Sequence, residues 1–404
     1  MRPLIPDAPF RLPGAARNAC DTGGMRRLIT LSALFAALLF VQVPAGAIDS
    51  SLPQATASFN DQVVKVAYNG DTVYSGGLFT RARQTDGTFA NRTYLAAVNS
   101  RTGALLPFAP VLNGTVHEVK TGGGYLYVAG KFTEVDGVAM SRVARFNLGT
   151  GKLDTAWRPK PSATVYSVEP SGTTVYLGGT FSSVGGHAQP RLAAVDVATG
   201  APITAFAPQV SEGGVRDLQV GHGRLYVAGV FSTIGGDKKY GKLGAVNPVS
   251  GAVDTSFVSK VYVLTREVVV AGDRVYAALD GRGGEIRAFT TSGETLWYQA
   301  VDGGMQTVEV WGDAVIGGGH FDQACVTNHA GPLGECVDGV KAERGKLLAV
   351  DMNGKLLPWN PGANGVVGAW DATAHPSGAN LSVGGSFTTF GGGTMEQKRL
   401  AVFD

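Results

Sequence analysis

Apolar residues come in short runs closed by turn residues. The pattern is plainest between Val175 and Phe206, VYLGGTFSSVGGHAQPRLAAVDVATGAPITAF. Val175 to Leu177 is a β-branched and aromatic run ended by Gly178 and Gly179, which predicts a strand running into a turn or bulge. Leu192 to Val195 predicts a second strand. Asp196 then opens DVATG, a tight turn in which the aspartate bonds its own backbone and glycine supplies a positive φ. Ile203 to Phe206 predicts a third strand. The phrase repeats: aligned on its phenylalanine it gives Phe79, Phe132, Phe181, Phe231, Phe321 and Phe387, at steps of 53, 49, 50, 90 and 66. A degenerate copy, VYAALDGRGG at 275–284, divides the longest step. Seven copies at a period near fifty result.

A β-rich repeat of about 40–50 residues, each copy unable to bury both faces of its own sheet, predicts propeller blades packed around an axis. The expected fold is all-β: a seven-bladed β-propeller of four-stranded antiparallel blades. In the first copy the strands are expected at about 62–68, 72–77, 94–99 and 104–108. The last copy ends at Asp404 in its third strand, and Ala55 to Phe59 (ATASF) resembles the fourth strand DTSF at Asp254–Phe257. An N-terminal strand is therefore expected to complete the last blade and close the ring. These phrases, VYLGGTF–SSVGG and RLAAVD, resemble the delta-sixty repeat family of secreted bacterial β-propellers. The resemblance covers about 50–404 and implies fold rather than activity, because its motifs are strands and structural glycines.

Charge is low, at 16%, and hydrophobic residues reach 44%, which fits a turn-rich β protein and not a disordered chain. Residues 1–24 read as an upstream extension without periodicity. Met25-Arg26-Arg27, the apolar run LITLSALFAALLFVQV and Ala45-Gly46-Ala47 read as a signal peptide over 25–47, leaving 48–404 as the propeller. Without 1–47 the chain holds 29 basic and 30 acidic residues, and no basic stripe remains to attract nucleic acid. No other stretch is apolar enough to span a bilayer, so a secreted or extracytoplasmic monomer is expected. The exported part holds only Cys325 and Cys336, which predicts one disulfide. The alternative, a zinc set of His320, Asp322, Cys325, His329 and Cys336, matches no strong ligand spacing, and no metal is expected.

The turns NGD, GGG, SGT and GHG are short, whereas the connections after the GG-x-F phrase are long and unequal, as in TRARQTDGTFANRT at 80–93. Function on a rigid scaffold concentrates in variable loops, so the long-loop face is the expected binding face. The first strands, which line the axis, read apolar-x-x-apolar. Between the apolar positions stand Val64-Lys65, His117-Glu118, Tyr166-Ser167, Arg216-Asp217, Arg266-Glu267 and Gln306-Thr307, with Ala372-Thr373 as the expected seventh pair. One member of each pair is expected to face the channel. His117 is the candidate general acid or base, Arg216 the candidate clamp for an anion, and Glu118, Asp217 and Glu267 the candidate catalytic carboxylates. Lys65, Tyr166, Arg266, Gln306 and Trp370 are the candidate ligand contacts. A water-filled channel with paired charges is the plainer alternative. No phosphate loop, nucleophile elbow, metalloprotease or EF-hand motif is present, and no cofactor is expected. The chain is therefore expected to be an exported module binding a glycan, peptide or small molecule. The alternative is a cofactor-independent enzyme for hydrolysis, elimination or cyclisation of a carbohydrate or small apolar metabolite.

Overall fold

The computed structural model describes residues 51–281, 283–327 and 336–404. The extension and signal peptide expected over 1–47, and His329 of the alternative zinc set, lie outside them.

Among the described residues seven larger antiparallel sheets follow one another along the chain, one for each repeat, with five small ones in the connections. Each begins with an inner strand: Val63–Asn69, Val116–Gly122, Val165–Ser171, Val215–Gly221, Leu264–Ala271, Met305–Trp311 and Ala369–Ala374. A middle strand such as Thr174–Gly179 and a third such as Leu192–Asp196 complete the ladder. Successive inner strands are neighbours, and the seventh lies beside the first.

Both faces of each sheet are buried, so alternate residues of one strand enter different cores. In the second sheet Leu126 and Val128 pack with Val116, Leu95 and Ala97, whereas Tyr127 and Ala129 pack with Val165 and Leu177. The seventh sheet meets the first through Leu400, which packs with Val63, Val66 and Val98. This two-sided burial explains why the strands read as continuous apolar runs rather than alternating ones.

The fourth strand expected in every copy is a ladder strand in the fifth sheet, Thr295–Ala300. In five others that position is a single bridge, such as Phe146 to Leu153 and Val246 to Val253. The physical reason is a turn placed directly after the bridge. Asp154 and Asp254 accept from the backbone two residues on, at 3.1 and 2.9 Å, and the chain leaves the ladder to bury Trp157 and Phe257. Beside Leu400–Phe403 of the seventh sheet lies the N-terminal segment. Gln54 N donates to Val402 O at 2.8 Å, and the Gln397 amide donates to Thr56 Oγ1 at 2.8 Å. The contact sits at 54–56; Ser58–Phe59 turns aside to pair with Ala82 and Arg83. Cys325 and Cys336 form a disulfide, with Cα atoms 5.3 Å apart.

The recurring glycine doublet has a packing cause. A Cβ on Gly178 would lie 2.6 Å from Cγ1 of Val215 in the next inner strand. A Cβ on Gly179 would lie 2.2 Å from the carbonyl oxygen of Thr164. The first glycine admits the neighbouring sheet, and the second admits its own inner strand. Gly178→Ala is expected to destabilise the protein by about 1–3 kcal/mol, because β-branched Val215 cannot swing away. Val215→Ala in the same chain should recover part of the loss. Thermal denaturation checks this, and an unchanged melting temperature in Gly178→Ala would refute the packing argument.

Candidate functional site

Each inner strand carries a register shift at the same place: between Val63 and Lys65, Val116 and Glu118, Val165 and Ser167, Val215 and Asp217, Thr265 and Glu267, Met305 and Thr307, and Ala369 and Asp371. An extra residue in one strand re-aims its side chains. Here the bulge turns both members of the polar pair toward the axis, at different depths, where simple alternation would turn one. The seventh pair is Trp370-Asp371 and not Ala372-Thr373, since Asp371 holds the register position of Lys65 and Glu267.

The seven bulged residues are Val64, His117, Tyr166, Arg216, Arg266, Gln306 and Trp370. Together with Gln62, Lys65 and Leu78 they line one cavity of about 300 Å³. It lies where the inner strands begin, at the end from which the long connections leave. The Arg216 guanidinium stands 4.1 Å from the centroid of the Tyr166 ring, and His117 lies 5.2 Å from that ring. Arg266 is tied to Asp280 by two hydrogen bonds, of 2.8 and 2.6 Å. Trp370 is pinned by Nε1 donating to Gln62 Oε1 at 2.8 Å. Burial, with the charges of Lys131 and Arg216 nearby, brings the His117 imidazole down to about 4. It is therefore neutral near pH 7 and both donates and accepts.

The second residues of the pairs form a layer beneath, and five of them accept a hydrogen bond from the backbone of the next inner strand. Leu218 N donates to Ser167 Oγ at 3.1 Å, Val268 N to Asp217 at 2.9 Å, and Val308 N to Glu267 at 3.0 Å. Ala372 N donates to Thr307 at 3.0 Å, and Val66 N to Asp371 at 2.8 Å. Lys65 has no acceptor to offer. Its ammonium pairs with Glu267 and, at 2.6 Å, with Asp371.

Glu118, Asp217 and Glu267 line a second cavity of about 300 Å³ with Lys120, Glu309 and Asp371. Among the named catalytic candidates, then, His117 and Arg216 line the mouth cavity, while the three carboxylates line the cavity below it. Lys65 borders both. Among the described residues no group of three or more His, Cys, Asp or Glu side chains is placed to hold a metal ion, and no helix is long and apolar enough to cross a membrane.

No protein-family model matches the chain, and no curated protein matches its sequence. Solved structures do. The WD40 β-propeller domain of Doa1 is 13% identical, with a TM-score of 0.50 over 83% of this chain and 93% of that one. The β-propeller domain of Cps50 (Swd1) from Myceliophteria thermophila is 14% identical, with a TM-score of 0.52 over 80% of this chain and 94% of that one. The chain has the β-propeller fold. At these identities the likeness carries the fold alone.

The propeller's mouth holds three residues that the repeat pattern did not single out: Gln62, Leu78 and, behind Arg266, Asp280. Asp280 had a signal. It occupies, in the degenerate fifth copy, the place that Leu78 takes after the glycine doublet of the first. The basic residues ahead of the third strands are scaffold. Arg142, Arg191, Lys242, Lys346 and Arg399 all have φ between 63° and 73°, and Lys242 Nζ donates to Val230 O at 2.8 Å.

The lower cavity is rich in carboxyls facing few cations. Burial pushes Glu118 and Glu309 up to about 8 and Asp371 up to about 7, with Lys65 opposing the shift at Glu118 and Asp371. Burial also raises Asp217. A raised carboxyl keeps its proton when folded and loses it when unfolded, from about pH 4.3 upward. The native state thus binds more protons in this window, and stability falls as pH rises from about 5 to 8. Glu309→Gln, which keeps an oxygen for Val310 N, is expected to raise the melting temperature by a few degrees at pH 8 and leave it unchanged at pH 5. Thermal melts of both proteins across this range check it, and an equal gap at both pH values would remove Glu309 from the account.

Proposed function

We propose that this is an exported, seven-bladed β-propeller of the delta-sixty repeat type, acting as a binding module. Its blades have a fourth position reduced mostly to one bridge, and the N-terminal segment at 54–56 fills that position in the last blade. The mouth cavity takes a small molecule or the end of a glycan. One observation carries this reading: all seven bulges deliver their side chains to one cavity on the long-loop face. Those side chains combine apolar walls with a few convergent polar groups, the usual make-up of a small-ligand site. The Cys325–Cys336 disulfide supports export. A binding role is favoured over catalysis because His117, at about 4, is a weak base near pH 7, and the candidate carboxylates Asp217 and Glu267 are bonded to backbone amides in the other cavity.

The test is a thermal-shift screen of the protein against sugars, sugar acids, short peptides and apolar metabolites, run beside Val64→Trp. A ligand at about 100 times its dissociation constant adds about 2.7 kcal/mol to the native state. The expected result is a hit on the wild type that disappears in Val64→Trp, whose larger side chain fills the mouth. A hit that persists in Val64→Trp, or no hit at all, would overturn the reading.

A further inference from the structure

The mouth contains polar groups with nothing to bind. Arg216 has no carboxylate partner among the described residues, in contrast to Arg266 with Asp280 and Lys65 with Glu267 and Asp371. Its Nε is buried without a hydrogen-bond partner. Stacking on Tyr166 holds the guanidinium plane in place, so its edge is preorganised for a planar anion. Gln306 is only 7% exposed and also lines the cavity. Its Oε1 is a buried acceptor with no donor, and its Nε2 is held 3.5 Å from Asp280. Such an atom calls for a hydroxyl or amine from a ligand, since leaving it empty is costly. Neutral His117 adds a donor and acceptor without adding charge. Trp370, fixed by Gln62, presents an aromatic wall.

The rim is uneven. Four residues separate Asp280 from the third strand of the fifth sheet at Glu285, against at least twelve at this position in each of the other six sheets. On this side Val263 lies beside Gly281, and Tyr262, next to it in the chain, is 77% exposed.

We propose that the mouth binds the terminal residue of an acidic glycan, a sugar of the uronic-acid class. Its carboxylate lies on Arg216 and a ring hydroxyl donates to Gln306 Oε1. The rest of the chain leaves over the fifth sheet, with a second sugar on the face of Tyr262. The assignment follows from the combination of groups. A lone anion would leave Gln306 unsatisfied, a neutral sugar would leave Arg216 unsatisfied, and a cavity of about 300 Å³ suits one hexose-sized ring. This inference rests on reading the mouth as a binding site.

Isothermal titration with glucuronate, galacturonate, glucose, galactose, tetragalacturonate and indole-3-acetate tests it. The uronates are expected to bind at least about tenfold more tightly than the neutral sugars. Arg216→Gln should remove that preference, bringing the uronates to within about twofold of the neutral sugars in the same variant, and Gln306→Leu should weaken the uronates by about tenfold. Tetragalacturonate should bind more tightly than galacturonate, an advantage lost in Tyr262→Ser. If Arg216→Gln does not fold, judged by its thermal melt, the Gln306→Leu and Tyr262→Ser results decide. Equal binding of acidic and neutral sugars, or preference for indole-3-acetate over both uronates, would overturn the acidic-sugar assignment. The binding-module reading would then still stand, provided that binding is lost in Val64→Trp. Absence of binding by any of these probes, with a Val64→Trp-sensitive hit elsewhere in the screen, would likewise overturn the sugar alone.

Discussion

The structure depends on a hydrogen bond repeated from one inner strand to the next. A side-chain oxygen on one strand accepts the backbone N–H of its neighbour, from Ser167 to Leu218, Asp217 to Val268, Glu267 to Val308, Thr307 to Ala372, and Asp371 back to Val66. Inner strands of different sheets share no ladder, so each presents amides that the sheet cannot satisfy. A buried amide without an acceptor costs about 1–3 kcal/mol. These side chains remove that cost and set the spacing of neighbouring sheets in the same contact. The glycine doublets serve the same junction, clearing room for the next sheet's valine and for the inner strand's own backbone.

The bulge is what makes this geometry available. Without it, one residue of each polar pair would point to the axis and the other into an apolar core. With it, both reach the axis, one above the other. The upper residue is left free of the staple and is exposed to the mouth, so its identity varies widely: valine, histidine, tyrosine, two arginines, glutamine and tryptophan. In five of the pairs the lower residue is committed to the neighbouring amide, and the lower side chains are mostly acids and hydroxyls. The axis is thereby divided into a mouth with cations and aromatic walls and a lower cavity dense in buried carboxyls. Lys65 sits between them, its charge sustained against burial by Asp371 and Glu267.

Several features were legible in the residues. The repeat of VYLGGTF and LAAVD marked the middle and third strands, and in the first copy the inner, middle and third strands were placed within a residue of their ends. The polar pairs marked the axis, and Trp370 stood out as a residue near its mouth. Three readings from the pattern required correction. Alternation along a strand does not anticipate a bulge, so both members of each pair were not expected on the axis. The seventh pair was placed two residues late, because Ala369 and Ala372 are weaker apolar markers than the valines elsewhere. The fourth strands were read too generously, since a run such as ITAF has strand-like composition even where an adjacent turn takes the chain out of the ladder.

The sequence by itself determined the β-propeller expectation and the junction chemistry, because period, glycine placement and apolar spacing are local properties that recur with every copy. Only the tertiary structure decided which polar side chains are used up and which are free. Arg266 and Arg216 are indistinguishable in the repeat pattern, yet one meets Asp280 and the other meets no carboxylate among the described residues. Glu267 and His117 both belong to the polar pairs, yet one is bonded to a neighbouring strand and the other faces the mouth. The difference lies in contacts between residues 14 to 41 positions apart in the chain, and in the depth at which each bulge leaves its side chain. Neither is encoded in the neighbours along the chain.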